Sequence, residues 1–196
     1  MTTTTTPTTE LEAVNSMLEA IGVDPVSDLS VTNDSDVIHA KSILSEVCRE
    51  VLSQGWDFNT DTRYPLARTV DNFILIPTDC IDIDVSDDFP TENAVWRNGK
   101  LWDKNGRTFV WTKDLTFDVT WLFPFDQLPQ TARHYIAMKA ARKFHARMLG
   151  SSQVERYTAQ DEADAFNIFK DAEALSADHN ILTGNYTVYR TLNRWA

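Results

Sequence analysis

Residues 115–124 read Leu115-Thr116-Phe117-Asp118-Val119-Thr120-Trp121-Leu122-Phe123-Pro124. Apolar side chains occupy every second position from Leu115 to Phe123, the period of a strand with one buried face. Pro124 and Pro129 then close this run. From Thr131 the period changes. Ala132, Ile136, Ala140, Phe144 and Met148 recur at helical spacing, and Gly150 ends the pattern near Leu149. A half-buried strand leading into a long amphipathic helix, with further helices on either side, places the chain in the α+β class.

Upstream of this stretch the β character continues. Ile81, Ile83 and Val85 alternate with Asp82, Asp84 and Ser86. Asn98-Gly99 and Asn105-Gly106 are hairpin-turn signals, and Phe109, Val110 and Trp111 follow the second. Trp96, Trp102, Trp111 and Trp121 all fall in this region. They read as the core of a small sheet, with a carbohydrate-stacking or partner-binding face as the alternative.

Two helices precede the β region. Thr9 and Glu12 have the spacing of a capping box, Leu11, Val14, Leu18 and Ile21 form a helical stripe, and Gly22 and Pro25 end it. The second begins near Asn33 or Asp34. It carries Ala40, Ile43, Val47 and Val51, widened by Leu44 and Leu52, and stops at Gly55. A fourth helix is expected from about Glu155 to Ala177, with Ala159, Ala163, Phe166 and Phe169. Neither of the first two helices is stable alone, so they must pack on each other or on later ones. The expected architecture is a four-helix bundle made by residues 9–62 and 128–178. Residues 63–127 form an inserted antiparallel β module, residues 1–8 a disordered threonine-rich start, and residues 179–196 an extended C-terminal tail.

The chain has 196 residues and a net charge of −11. The acids dominate residues 1–62, whereas residues 131–150 hold five bases and no acid, and residues 151–178 hold seven acids and two bases. A protein this acidic does not cling as a whole to DNA or to anionic lipid. The longest apolar run, Phe73 to Ile76, is too short to span a membrane, and the N-terminus lacks the basic and apolar regions of a secretory signal. Cys48 and Cys80 fit no metal spacing and read as reduced, partly buried thiols.

Reactive constellations are sparse. His39, His134, His145 and His179 are scattered without zinc-ligand spacing, and no Gly-rich phosphate loop or nucleophile elbow occurs. Asp79, Asp82, Asp84, Asp87 and Asp88 lack the glycine and closing glutamate of a calcium loop. Asp82 and Asp84 read as one solvated strand face. The basic helix, with Arg133, Lys139, Arg142, Lys143 and Arg147, invites a DNA-binding reading. The acidic helix after it, with Asp161, Glu162 and Asp164, offers a different one: charge complementarity within one chain or between copies. A glycan hydrolase built on an acid pair beside the tryptophans is a further alternative.

Three blocks carry a family resemblance. The first is Ala13-Val14-Asn15, Leu18, Ile21-Gly22, Pro25-Val26 and Leu29. The second is Gly55-Trp56-Asp57-Phe58-Asn59. The third runs through Leu128-Pro129, Arg133, Tyr135-Ile136, Lys139-Ala140, Arg142 and Phe144 to Gly150. In order and spacing they resemble the tail tubular protein A family of short-tailed phages, over roughly residues 10–60 and 128–178.

The resemblance implies a structural virion protein and not an enzyme. It implies a ring, typically a dodecamer, that joins the portal protein to the tail nozzle (tail tubular protein B). Such a ring continues the DNA channel for genome ejection and offers attachment sites for tail fibres. Double-stranded DNA would pass through without specific binding. The subunit would be assembled in the host cytoplasm and reside in the phage tail, with no membrane contact, cofactor, metal or catalytic residue. On this chain, Tyr186, Val188, Tyr189, Leu192 and Trp195 become the candidate portal-docking tail. Arg133, Lys139, Arg142, Lys143, Arg147, Asp161, Glu162 and Asp164 become the candidate subunit-interface charges.

Overall fold

Each of the first two helices begins where a polar side chain closes free backbone donors. In the computed structural model, α1 spans Glu10–Glu19, and Thr9 and Glu12 form a reciprocal capping box. Helix α2 spans Ser35–Leu52, with the Asp34 side chain accepting from the Asp36 N–H. Gly22 (φ 80°) and Gly55 (φ 69°) adopt the left-handed conformation just beyond the two helix ends. The structure describes residues 6–30, 34–148 and 152–176, with side chains in the last segment from residue 159. The candidate docking tail, Tyr186 to Trp195, lies outside the described residues, as does His179.

Helix α3 spans Gln130–Met148 and α4 spans Ser152–Ser176, close to the spans expected from periodicity. Among the described residues the architecture is mixed helix and sheet, with four α-helices and small antiparallel sheets. The helices share one apolar core. Val14, Met17 and Leu18 of α1 meet Ala40, Leu44 and Val47 of α2, Ile136, Ala140 and Phe144 of α3, and Ala165 and Phe169 of α4. The stripes read from the sequence for α1, α2 and α3 supply most of it. The α1–α2 connection is held by Asn15, whose side-chain amide donates to Val26 O and accepts from Val26 N, both at 2.9 Å.

The strands are β1 (Thr60–Pro65), β2 (Cys80–Val85), β3 (Ala94–Arg97), β4 (Lys100–Asp103) and β5 (Thr116–Trp121). Three form an antiparallel sheet in the order β1-β5-β2, so the strand with the clearest alternation is its centre. Phe117, Val119 and Trp121 of β5 are buried, with Leu115 just before it. The strand stops at Trp121, and Leu122 and Phe123 pack against the helical core.

β1 is a strand that the pattern of the sequence does not mark. Its sequence, Thr-Asp-Thr-Arg-Tyr-Pro, shows no apolar alternation, and all but Thr60 are exposed. It pairs as an edge strand with a register shift between Asp61 and Tyr64. There Arg63 takes φ 56° and its N–H donates to Asp118 Oδ1 at 2.9 Å.

β3 and β4 form a separate hairpin. Asn98 (φ 51°) and Gly99 (φ 70°) make its tight turn, in the left-handed pair of conformations that the sequence signal demands. Asn105-Gly106 behaves differently. The turn there is wider, closed by mutual backbone hydrogen bonds between Asp103 and Thr108, and Arg107 is the residue at positive φ. Ile74, Ile76, Leu101, Trp111, Leu115 and Phe117 make the second core, beneath the two small sheets.

Candidate interaction surfaces

The basic face of α3 is spent inside the chain. Lys139 Nζ lies 2.8 Å from Glu50, Lys143 Nζ lies 2.9 Å from Glu46 and 3.3 Å from Glu50, and Arg147 lies 3.1 Å from Glu46. Glu46 and Glu50 stand one turn apart on α2, and Lys139, Lys143 and Arg147 stand at successive turns on α3, so the two helices mesh as a ladder of charges. Among the described residues only Arg142 reaches α4, meeting Glu162 at 2.7 Å. The partner of the basic helix is therefore mainly the acidic face of α2, not the acidic helix that follows it.

These pairings shift the groups as expected. Hydrogen bonds from Lys143 and then Arg147 hold the Glu46 carboxyl below its ordinary range, and Lys139 does the same for Glu50. Lys143 is held above the usual lysine value chiefly by Glu46. Burial disfavours the charge on Lys139, but Glu50 and Tyr135 outweigh it and raise its pKa. Each pair is partly solvated, and exposed pairs add little stability apiece. Their effect here is to fix how α2 and α3 sit against each other.

Arg133 is used differently. Its guanidinium donates to three carbonyl oxygens: Leu128 at 2.7 Å, Thr8 at 2.8 Å, and Asp126. Gln130 and Thr8 exchange two further hydrogen bonds of 2.8 Å, and Glu10 N donates to Asp126 Oδ1. The start of α1 is thus tied to the start of α3 through Thr8, one residue before the capping box.

A joint connects the helices to the sheet, and the second sequence block supplies it. Asn59, 1% exposed, donates from Nδ2 to Leu52 O at 2.9 Å and Trp121 O at 2.8 Å, while its Oδ1 accepts from Trp56 N at 2.8 Å. One amide side chain therefore bridges the end of α2, the 3-10 turn Asp57–Asn59 and the end of β5. Trp56 packs on Phe169 at 4.5 Å between ring centroids, and Tyr135 stacks on Phe169 at 5.7 Å. Glu173, itself buried, accepts the Asp57 N–H. Asn59 stands in that block without a role that its sequence assigns, and Glu173 carries no mark in the sequence at all. An uncharged amide and a lone glutamate carry no periodic signal.

The tryptophans divide. Trp111 and Trp121 are buried, and their indole N–H groups donate to Leu101 O and Asp61 Oδ2. Trp102 is half-buried with Arg97 5.1 Å from its ring centroid, and Trp96 is exposed. Lys100 rests 4.1 Å over the Phe73 ring. Register places Arg97, Lys100, Val95 and Trp102 on one face of the hairpin, and the bridge between Leu75 and Lys100 adds Leu75 to that face. It is an aromatic and cationic platform on an acidic protein.

The remaining candidates also have places. Asp161 and Asp164 point outward from α4, whereas Glu162 turns inward to Arg142. Asp82 and Asp84 are exposed and take backbone donors of their own strand, Ile83 N and Val85 N. Among the described residues no group of three or more potential metal ligands converges. No helix among them is long and apolar enough to cross a membrane.

Charged and aromatic side chains thus lock the helices to one another and to the sheet. The chain belongs to the tail tubular protein family, whose model matches residues 11–179. It is similar to tail tubular protein A of Klebsiella phage KP34, being 28% identical over 152 residues that cover 78% of this chain and 80% of that protein. It is thus a structural component of a phage tail.

Proposed function

We propose that this chain is the repeating subunit of an adaptor ring, a dodecamer, between the portal and the tail nozzle, through which DNA passes during genome ejection. The four helices serve as a bundle forming the ring wall. The β module, residues 63–127, reaches toward the nozzle protein (tail tubular protein B) or a tail fibre. The tail, residues 179–196, grips the portal through Tyr186, Val188, Tyr189, Leu192 and Trp195. Assembly takes place in the host cytoplasm, and the reading requires no catalysis, cofactor, metal or membrane.

The observation that carries this reading is the family match across residues 11–179, on a chain whose α3 cations Lys139, Arg142, Lys143 and Arg147 pair with its own acids. Arg133, Lys139, Arg142, Lys143 and Arg147 do not form a free basic row, which argues against a DNA-binding helix. The acidic excess is left outward, and a negative wall repels phosphates, letting a duplex slide. The test is to mix the purified chain with its portal protein and measure masses by mass photometry, with negative-stain images of the product. Rings stacked on the portal are expected. Persistent monomers without a complex would overturn the reading.

A further inference from the structure

Once the internal pairs are set aside, two outward surfaces of opposite sign remain. On α4, Asp161, Asp164, Ile168, Asp171 and Leu175 recur at alternating spacings of three and four residues, which aligns them in one stripe. Ile168 is 56% and Leu175 82% exposed. Among the described residues no cation comes within ion-pair distance of these three aspartates. The second surface is the outer face of the β3–β4 hairpin with its adjoining turn. Leu75 is half exposed there, and Arg97 and Lys100 rest on aromatic rings and not on carboxylates. Lys104 and Arg107 extend the positive rim, and no described carboxylate pairs with any of these four cations.

Single exposed apolar residues are ordinary. A helical stripe that alternates them with carboxylates is shaped for a surface both apolar and cationic, and this chain carries one on its hairpin. Asp164 and Asp171 lie about 10 Å apart along the helix, within the span of about 13 Å offered by a four-residue strand.

We propose that the α4 stripe of one copy docks on the outer face of the β3–β4 hairpin of the next copy. Asp164 and Asp171 meet the cations around Arg97 and Lys104, and Ile168 lies toward Leu75 and Trp102. The contact rests on the ring reading above and specifies which faces close it. The two surfaces are unlike and sit on different elements, so the contact is heterologous, the type that propagates around a ring. It also depends on ionic strength, because its charges are solvent-exposed before docking.

The test uses full-length chains and two charge-reversed variants, D164K/D171K and R97E/K104E, at low salt. Sedimentation gives the masses, and far-UV circular dichroism checks the helices. Each variant alone is expected to stay monomeric. An equimolar mixture is expected to rebuild assemblies of wild-type size with the two variants alternating, because both faces of each variant meet opposite charge on the other. I168A/L175A, which removes only exposed side chains, is expected to weaken assembly about tenfold. If either charge variant alone still builds assemblies of wild-type size, the surface assignment is overturned while the ring reading stands. If the wild-type chain stays monomeric both alone and with portal, the ring reading falls and this contact falls with it.

Discussion

Glu173 Oε2 accepts the backbone N–H of Asp57 at 3.0 Å, which fastens the C-terminal half of α4 to the turn that follows α2. Burial is the strongest influence on this carboxyl and pushes it above the ordinary glutamate range. The Asp57 and Phe58 N–H groups pull it down, and the Asp57 carboxylate adds to the rise. A raised acid binds more protons folded than unfolded, so stability falls as pH rises from 4.5 through the folded value. Glu173→Gln keeps an acceptor for Asp57 without the charge. It should unfold at higher urea than the native chain at pH 7, and the difference should vanish below about pH 4. A variant weaker than the native chain at pH 7 would contradict this.

The ladder between α2 and α3 has the opposite sign. Glu46 and Glu50 are held below their ordinary range, so their contribution is present above 4.5 and is lost as pH falls through their folded values. Glu50→Gln removes the partner of Lys139 and one of the two partners of Lys143. It should lower the unfolding free energy by no more than about 1 kcal/mol, read as a modest fall in the urea midpoint, because the pairs are partly solvated. The loss should shrink in about 1 M salt, where screening weakens the pairs. A loss unaffected by salt would show that packing, not charge, is at stake.

Asn59 is the most vulnerable polar side chain. Asn59→Leu leaves Leu52 O and Trp121 O without their side-chain donor and Trp56 N without its acceptor. Buried groups left unpaired cost about 1–3 kcal/mol each, so a total near 3 kcal/mol is expected. Equilibrium denaturation followed by tryptophan fluorescence will measure it. A change within about 0.5 kcal/mol would mean that the joint is not a structural bolt.

Burial pushes the thiols of Cys48 and Cys80 up to about 11. The thiolate is the reactive form, so near pH 8 both should react with a disulfide reagent about a hundredfold more slowly than an ordinary cysteine thiol. Cys48 borders an open cleft of ≈ 330 Å³, so protonation and not only access limits it. Unfolding in urea should release both thiols at the ordinary rate. Rapid reaction of the folded chain would place one of them in a different environment.

Much of the fold is legible in neighbouring residues. Met148, at the end of the α3 stripe, is 39% exposed, but the capping box at Thr9 and Glu12, the core positions Leu18, Val47 and Phe144, the alternation along β5, and the Asn98-Gly99 turn all read correctly. Each is decided by side chains a few positions apart. β1 is not legible, because an exposed edge strand has no buried face to impose alternation. The Asn105-Gly106 signal does mark a chain reversal, but Asp103 and Thr108 close a wider loop around it than a two-residue turn.

The amino-acid sequence by itself determined the local periods, the helix boundaries, the acidic balance and the family, since these depend on residue order alone. Only the tertiary structure decided where the charges went. Lys143 and Glu50 are 93 residues apart in the chain yet 3.3 Å apart in space. Among the described residues the adjacent acidic helix takes just Arg142 of the α3 cations and leaves Asp161 and Asp164 outward. Which opposite charges meet depends on how whole helices pack, and packing is driven by apolar burial that does not distinguish one carboxylate from another.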